Sequence, residues 1–480
     1  EAKKLITGYS ILGILFNTLY FGLNIESKFI LLILLIIMIF TICFSLVKKN
    51  FLYIIEIKNI LIITIIPFIF FVFIGQVYGE QYYVFRGNYW DYLNYISSSL
   101  MIYKYDFNFL INNEKLLQSE NIFNMMGWLF HIEIRPTINI FFSQFYNLEL
   151  ENFFLTNFTI KTISFLYLFS AFYVFFYDLH LKFLKNKLTI FCLLLCLSFW
   201  PIYIFEIDSL VQLFSLSLLI FCFYFLIHIE KIFINKNKIL LIQFFIVNLS
   251  LFLIYPEIFL IYLLVSVIYL VLLGKKSLNF VQLNKSKILI LSLTFIFFTF
   301  IFYKTHYYYL LTALKIGISE SVEMAGYFGS FVLGKNNLVL NETFVESLKQ
   351  LIAEKHNLVT ILSFVHKGLI SNGFDFYYLN ILPSLFGFYE YTIGKVDLKL
   401  QLYQIIFLLI LNIAIIFYTA RNIKYFYYSY DNFSFLIKAI LITFFSLSVF
   451  FLFNSAIWSM IKLYFYFSFF LIIFIVLIFK

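Results

Sequence analysis

Residues 209–229 read SLVQLFSLSLLIFCFYFLIHI, and this stretch decides the class of fold. Its 21 residues include no Asp, Glu, Lys or Arg. A helix of that length spans about 30 Å, which matches the hydrocarbon core of a membrane. Because comparable apolar runs recur along the chain, the sequence predicts an all-α, polytopic membrane protein.

The composition excludes a soluble protein. Of the 480 residues, 63% are hydrophobic and 12% are charged, whereas a soluble domain of this size covers its surface with far more charge. The net charge of +9 is concentrated in short loops, as membrane topology requires. It therefore gives no indication of a nucleic-acid partner, and the expected surroundings are membrane lipids.

We predict about twelve transmembrane helices, each an apolar run long enough to cross the bilayer. The first run is too long for the apolar region of a signal peptide and lacks a small-residue cleavage site. In chain order the predicted spans are Leu5–Leu23, Ser27–Val47, Asn59–Tyr78, Leu155–Tyr177, Leu188–Phe205, Ser209–Ile229, Ile239–Tyr255, Ile258–Leu273, Lys287–Tyr303, Gln401–Thr419, Phe433–Phe453 and Ala456–Phe479.

The distribution of basic residues orients these spans. Alternate short loops, such as Lys182–Lys187 and Lys231–Lys238, are rich in Lys, whereas the intervening turns 200–208, 255–257 and 454–455 contain no Lys or Arg. Short cytoplasmic loops carry the excess of positive charge. We therefore expect a multi-pass protein of a bacterial inner (plasma) membrane with both termini cytoplasmic.

Two long segments, 79–154 and 304–400, fall on the extracytoplasmic side in this topology, and connections of that length are usually functional. The predicted organisation is two additional N-terminal spans over 1–58 and a core over 59–303 that includes the 79–154 loop. The 304–400 segment follows as a second loop region, and the chain ends with the transmembrane helices of 401–480.

The first long loop is predicted to contain amphipathic helices that lie on the membrane. Such a helix places its apolar face in the membrane interface and its polar face toward water. From Trp90 onward, residues of the two kinds recur at roughly helical spacing. The apolar positions are Leu93, Ile96, Leu100, Ile102 and Tyr103, and the opposite positions are Asn94, Ser97, Ser98 and Lys104.

The start of that helix holds the first candidate for chemistry. Residues 80–106 read EQYYVFRGNYWDYLNYISSSLMIYKYD and concentrate ionisable groups and aromatic side chains directly after an apolar run. Ionisable groups at a membrane face are costly unless they are used. Asp91, with Arg86 nearby, opens the helix, where the helix dipole favours a negative charge. The alternative interpretation is a helix N-cap within an interfacial belt of Trp and Tyr.

Three further places put acids or bases on the same face. Glu206 and Asp208 could bind a cation or accept protons, or could cap the next helix. Glu257 follows Pro256 at a helix start, where local preference alone explains an acid. Lys462, with Tyr464, lies just inside the last span, where it needs an anion or a route to the interface, and Arg135 is a similar case.

This arrangement resembles the GT-C superfamily of membrane glycosyltransferases, including bacterial proteins of the dolichyl-phosphate-mannose mannosyltransferase-like and aminoarabinose transferase-like kinds. The resembling features are Asp91-Tyr-Leu-Asn-Tyr95, Arg135-Pro136-Thr137, Pro201 with Glu206-Ile207-Asp208, and Lys462-Leu-Tyr-Phe-Tyr466. In that family the acid usually follows the first transmembrane helix. Here it follows the third predicted span, so the resemblance makes 1–58 an N-terminal addition.

The resemblance implies transfer of a sugar from a polyprenyl-phosphate donor to an envelope lipid, glycan or protein acceptor. Asp91 would be the general base, assisted by Glu206 and Asp208, and these three carboxylates could hold a divalent cation, Mg²⁺ or Mn²⁺. The remaining roles concern substrate binding. Arg86, Arg135 and Lys462 would neutralise the leaving phosphate, Trp90 and Tyr95 would stack on sugar rings, and Glu257 and Tyr464 would complete the substrate site.

Two other classes of protein remain open from the sequence. An envelope polysaccharide polymerase or ligase also has about a dozen spans and large outer loops, but would use more Arg and His there than this chain offers. A transporter or lipid flippase would favour charged residues at mid-membrane and internal pseudo-symmetry. The glycosyltransferase is the preferred hypothesis because the candidate charges cluster at span ends.

Overall fold

The computed structural model describes residues 2–47, 90–113, 115–117, 136–147, 153–178, 188–197, 201, 210–234, 238–302, 349–350, 353–354, 410, 413–414, 417, 421, 432–453, 463 and 465–470. Within these residues the chain consists of helices and turns, and no strand is present. The helices are strongly apolar, and the chain is an α-helical membrane protein.

The described helices follow one another through short connections or through the undescribed ranges. Their bounds are α1 Ala2–Asn17, α2 Ser27–Val47, α3 Trp90–Lys104, α4 Phe107–Asn112, α5 Pro136–Asn147, α6 Phe153–Asp178, α7 Leu188–Cys196, α8 Leu210–Ile227, α9 Ile229–Ile234, α10 Lys238–Ile254, α11 Pro256–Leu273, α12 Lys275–Phe302 and α13 Asn432–Phe453. A π-helical turn, Thr18–Gly22, extends α1.

Six helices in the described part of the chain are long and apolar enough to cross a membrane, and two shorter apolar helices, Ser27–Thr41 and Lys238–Ile254, accompany them. The six are Ala2–Gly22, Ile160–Asp178, Leu210–Ile227, Pro256–Leu273, Gln282–Phe300 and Asn432–Phe450. The predicted spans Asn59–Tyr78 and Gln401–Thr419 lie wholly or largely outside the described residues, as does most of Ala456–Phe479.

The bounds of the well-described helices agree with the predicted spans except at α12, and α7 covers only Leu188–Cys196 of the predicted span Leu188–Phe205, most of whose remainder lies outside the described residues. The predicted span begins at Lys287, but the helix begins at Lys275 and continues without a break to Phe302. The basic residues of 275–287 were expected to form a loop. Charged side chains keep a segment out of hydrocarbon, but Lys has a good helix propensity, so the helix extends beyond the apolar part.

The chain divides into two compact units, the first formed by Glu1–Leu197, Pro201–Ser266 and Gly274–Thr312. In this unit α1 packs against α5, α6, α8 and α10, and α8 also packs against α6 and α10. Every residue of α8 is buried. A helix that is apolar on all sides belongs inside a protein rather than at its surface, and α8 is the centre of this unit.

Contacts at the helix ends give the direction of each helix. Lys3, at the start of α1, contacts Asp178 at the end of α6 and Tyr224 near the end of α8. Asn17, at the end of α1, donates to Thr137 of α5, whose hydroxyl donates to the carbonyl of Leu253 near the end of α10. Thus α1 and α10 run in one direction, and α6 and α8 run in the other. We call these two regions the Asp178 end and the Thr137 end.

Close approach of α1 and α10 at the Thr137 end depends on a glycine. A Cβ atom at Gly13 would lie 3.1 Å from Ser250 Oγ and 3.7 Å from a methyl carbon of Thr137. Small residues at membrane helix crossings allow the backbones to approach in this way. Gly8, five residues earlier, has no such neighbour within 4 Å.

Helices α3, α4 and α5 form a layer across the Thr137 end, which we call the capping layer. In α5, Thr137 contacts the ends of α1 and α10, and Ser143 contacts Ser27 at the start of α2. The carbonyl of Tyr105 accepts from the Tyr20 hydroxyl beyond the end of α1. An apolar cluster that includes Phe16, Tyr20, Ile30, Met101, Ile102 and Ile140 fills the space between the layer and the first two helices.

The expected orientation of α3 was wrong for Ser97 and Ser98, and the neighbouring Ser99 is buried as well. Ser97, Ser98 and Ser99 are 8%, 0% and 0% exposed, whereas Tyr103 of the apolar set is 40% exposed. Small hydroxyl side chains allow α3 to pack closely on α5, and their polar atoms can be satisfied by their own helix. Ser99 shows this directly, since its hydroxyl donates to the carbonyl of Tyr95 at 2.5 Å.

The second unit contains Ser198–Trp200, Val267–Leu273 and Ala313–Lys480. Its longest described element is α13, whose residues Leu436, Ile437, Ala439 and Ile440 are completely buried. The Phe444 ring of α13 contacts Phe467 edge to face, with centroids 6.4 Å apart, which joins α13 to the helical residues 465–470.

Candidate functional site

The structure describes some of the predicted site residues and not others. Arg86, Arg135, Glu206, Asp208, Lys462 and Tyr464 lie outside the described residues. For Trp90 and Asp91 the helical backbone is described. Tyr95 and Glu257 are described completely, and both are buried.

Asp91 is the second residue of α3. This position places it in the first helical turn, where unpaired backbone N–H groups and the helix dipole favour a negative charge. Positions 91, 95, 98 and 102 follow one another on one helix face. Tyr95, Ser98 and Ile102 of this face are at most 1% exposed. The described part of this face begins at Tyr95, about one turn after Asp91.

Tyr95 packs within the capping layer. Its side chain is 1% exposed, and its ring is stacked on Phe142 of α5 with centroids 6.1 Å apart and an interplanar angle of 11°. Sequence reasoning offered this ring as a surface for a sugar. In the structure the aromatic ring contacts another aromatic ring, so Tyr95 positions α3 on α5.

Glu257 is a buried acid at the Thr137 end. It is the second residue of α11 and is 2% exposed, and the preceding Tyr255 is completely buried. Local helix preference explains an acid at a helix start, but it does not explain why the side chain is withdrawn from solvent. Burial of an ionisable group is costly unless the surroundings stabilise it, and this makes Glu257 a stronger candidate than its sequence context indicated.

Lys161 is a further candidate site residue that was not predicted from the sequence. It belongs to α6 and is 0% exposed. It lies 17 residues before Asp178, which corresponds to about 25 Å along the helix, so it belongs to the Thr137 half of the bundle. The signal was present in the sequence, because a lysine inside the apolar run Leu155–Tyr177 is itself a functional candidate.

Polar side chains connect three helices at this end. The Asn17 side-chain amide donates to Thr137 Oγ1 at 2.6 Å and to the carbonyl of Gly13 at 2.7 Å. Thr137 in turn donates to the carbonyl of Leu253 at 3.2 Å. The network is fully buried and fixes the start of α5 against α1 and α10.

A second buried network joins α5 to α2. The hydroxyls of Ser27 and Ser143 lie 2.8 Å apart, and the Gln144 side-chain amide donates to Ser27 at 2.9 Å and to Ser143 at 3.1 Å. The capping layer is thus held at both ends of α5 by hydrogen bonds between side chains, which are uncommon among protein hydrogen bonds.

The Thr137 end also contains unused hydrogen-bonding capacity. Both polar atoms of the Asn139 side chain, Oδ1 of Asn17, Oε1 of Gln212 and Oγ of Ser250 are buried without a hydrogen-bond partner among the described residues. Each such group costs about 1–3 kcal/mol unless water or a ligand satisfies it. These groups can therefore bind water or a polar ligand at little further desolvation cost.

Metal ligation is not supported by the side chains that the structure describes, since they contain no group of three His, Cys, Asp or Glu residues. The expected cation site at Asp91, Glu206 and Asp208 lies outside the described side chains. In chemical terms the described site offers a buried cation, a buried carboxylate and several neutral donors and acceptors.

Comparison of the chain with protein-family models, with characterised proteins and with solved structures finds no match.

Proposed function

We propose that the protein is a membrane glycosyltransferase of the GT-C kind, which moves a sugar from a polyprenyl-phosphate donor to an envelope lipid, glycan or protein acceptor with inversion at the anomeric carbon. One observation carries the proposal. The helix that begins with Trp90-Asp91 belongs to a layer of helices covering the end of the bundle where Lys161 and Glu257 are buried. Such an arrangement suits a reaction at the membrane surface between charged lipid-linked substrates.

In this proposal Asp91 accepts the proton of the acceptor hydroxyl as the sugar leaves its phosphate. Glu206 and Asp208 assist by binding the acceptor or a divalent cation, Mg²⁺ or Mn²⁺. Cationic side chains stabilise the phosphate leaving group, and Lys161 joins Arg86, Arg135 and Lys462 in this role. Glu257 and the unused amide groups of the Thr137 end would bind sugar hydroxyls.

The proposed topology has twelve spans, with both termini in the cytoplasm and the capping layer on the opposite side. The antiparallel directions of α1 and α6, and the position of α3–α5 at one end of the bundle, support it. Labelling of single cysteines in intact cells tests the topology. A cysteine at position 113, in the turn after α4, should react with an impermeant maleimide, and one at position 236 should not.

The catalytic role is tested by Asp91→Asn. Transfer of labelled sugar from a polyprenyl-phosphate donor in membranes should fall by a factor of about 10²–10⁴, the usual contribution of a general base. Asp106→Asn is the matched control, because Asp106 belongs to the same layer and caps α4, and Asn is an equally good cap. Normal transfer by a correctly inserted Asp91→Asn protein would exclude Asp91 as the base.

Lys161 favours a second candidate function, a transporter. Ionisable side chains buried within transmembrane helices often mark the path of an ion or a substrate, and Lys161 is buried within α6. The two functions differ in the fate of the sugar–phosphate bond. A lipid-linked sugar that crosses proteoliposomes with this bond intact would support transport, whereas release of free polyprenyl phosphate supports transfer.

A further inference from the structure

The Asp178 end contains a closed triangle of hydrogen bonds that the proposed function does not use. Lys3 Nζ donates to Asp178 Oδ2 and to the Tyr224 hydroxyl, both at 2.6 Å, and the Tyr224 hydroxyl donates to the same Asp178 oxygen at 2.7 Å. The three residues belong to α1, α6 and α8. The triangle therefore holds the start of α1 against the ends of two antiparallel helices.

The triangle is partly accessible to solvent. The side chains of Lys3 and Asp178 are 37% and 26% exposed. Lys3 Nζ also lies 4.7 Å from the centre of the Tyr224 ring, which adds a cation–π contact. Protons and ions can reach such a group, whereas the fully buried polar networks of the Thr137 end are shielded from them.

His228 contacts the triangle through Tyr224. It lies in the turn between α8 and α9, and its backbone N–H is bonded to the carbonyls of Tyr224 and Phe225. The His228 ring meets the Tyr224 ring edge to face, with centroids 4.8 Å apart. The Tyr224 side chain therefore links the His228 ring to the Lys3–Asp178 ion pair, and a change of charge on the imidazole acts on that pair at short range.

The charges around His228 come from three helices. Lys3 of α1, Asp178 of α6 and Lys231 of α9 all act on the imidazole, and Glu230 lies in the first turn of α9. Burial of the ring, together with Lys231 and Lys3, lowers the pKa of His228 below its ordinary value of 6.5, against the opposing effect of Asp178. The folded protein therefore disfavours the charged form of this imidazole.

We propose that the triangle and His228 form a proton-sensitive latch. Protonation of His228 adds a cation beside Lys3 and Lys231 and competes with Lys3 for the single carboxylate of Asp178. The start of α1 is then held less firmly against α6 and α8. Because α1 continues as a helix to Asn17, the latch acts on the same helix that anchors the capping layer.

The direction of the pH effect follows from the lowered pKa. The folded protein resists protonation of His228, whereas the unfolded chain binds that proton near pH 6.5. The latch is closed above this pH. Its contribution to the stability of the contact between α1 and helices α6 and α8 decreases as the pH falls through the lower pKa of the folded state. We expect opening between pH 6.5 and the more acidic pKa of the folded protein.

The test is amide hydrogen exchange of residues 6–9 in the full chain, which is reconstituted in lipid nanodiscs. Exchange is measured at pH 7.5 and pH 5.5, and the rates are corrected for intrinsic exchange. In the unmodified protein, protection of these amides should fall about fivefold at pH 5.5, the size expected for one partly exposed charge pair. In His228→Gln it should stay constant. In Asp178→Asn, which lacks the ion pair, it should be low at both pH values.

Two further variants make the result decisive. His228→Phe keeps an aromatic ring beside Tyr224 but cannot bind a proton, so it replaces His228→Gln if that variant does not fold. His180→Gln is the matched control, since His180 is two residues after Asp178 in the sequence, and it should retain the pH response. The proposal is overturned if protection does not depend on pH, if both His228 variants keep the response, or if His180→Gln abolishes it.

Discussion

The two ends of the first unit differ in how they treat polar groups. At the Asp178 end a few polar side chains bond to one another in a partly exposed triangle. At the Thr137 end many polar side chains are buried, and several buried atoms have no hydrogen-bond partner among the described residues. The first arrangement holds helices together, and the second retains binding capacity that folding alone does not use.

This difference has an energetic meaning. Partly exposed ion pairs contribute little to stability, typically about 0–1 kcal/mol, so the Asp178 end can open at low cost. Buried groups without partners reduce stability by about 1–3 kcal/mol each. Natural proteins keep such costs mainly at functional sites, and this supports the proposal that substrate binds at the Thr137 end.

Among the changes that test this contrast between the two ends, Lys161→Met has the largest expected effect, which is on sugar transfer. Met fills a similar volume without a charge, and replacement of a buried ion by an apolar side chain is often neutral for stability. If Lys161 stabilises the phosphate leaving group, transfer should fall about 100-fold, as it does when one stabilising donor is removed from an active site. Transfer from the polyprenyl-phosphate donor in membranes measures this.

Lys104→Met is the control for that variant. Lys104 lies in the last turn of α3 in the same capping layer, and its side chain is exposed. Its replacement should leave transfer unchanged. Equal activities for the two variants would make the buried lysine a structural feature, and the contrast between the two ends would lose its functional meaning.

A smaller effect is expected for Gly13→Leu, which tests how tightly the Thr137 end is packed. The new Cβ would lie 3.1 Å from Ser250 Oγ, and the rest of the side chain would separate α1 from α10. Overpacking of this kind costs about 2 kcal/mol. Thermal unfolding in detergent should show the loss as a lower midpoint.

Gly8→Leu gives the matched comparison on the same helix. No heavy atom lies within 4 Å of a Cβ at Gly8, and Leu is the better helix former by about 0.8 kcal/mol. The midpoint should therefore stay constant or rise. A similar loss in both variants would mean that α1 tolerates no large side chain anywhere, and that Gly13 has no special role.

Sequence reasoning predicts local features of this fold well. The run Ser27–Val47 forms α2 with the same bounds, because hydrophobicity and length are properties of the segment alone. It predicts contacts between distant segments poorly. Lys3 and Asp178 are 175 residues apart, and neither residue alone indicates that the other is its partner.

In the candidate site, too, local features were predicted well and contacts between distant segments were not. The helix that begins near Asp91 was predicted from its pattern, and α3 confirms it. The buried serines of α3 were placed on the wrong face because their surroundings are set by α5, more than thirty residues away in the sequence. Lys161 was not predicted because the predicted site rests on charges at the ends of spans, although the position of this lysine within an apolar run is visible in the sequence.

The smallest expected effect separates binding from packing at the Thr137 end. Asn139 is 0% exposed, and neither polar atom of its side chain has a partner among the described residues. Replacement by Leu, of similar shape, removes this desolvation cost and should raise the free energy of unfolding by about 1 kcal/mol. If the amide binds a substrate hydroxyl, the KM for the sugar donor should increase at the same time.

Asn17→Leu is the comparison that decides how to interpret that result. The Asn17 amide already donates to Thr137 and to Gly13, so its loss should lower stability by about 1–2 kcal/mol. A gain in stability for Asn139→Leu with a loss of donor affinity identifies a residue retained for binding. A loss of stability in both variants would instead mean that Asn139 has a structural partner, such as a bound water, and that this part of the layer serves packing alone.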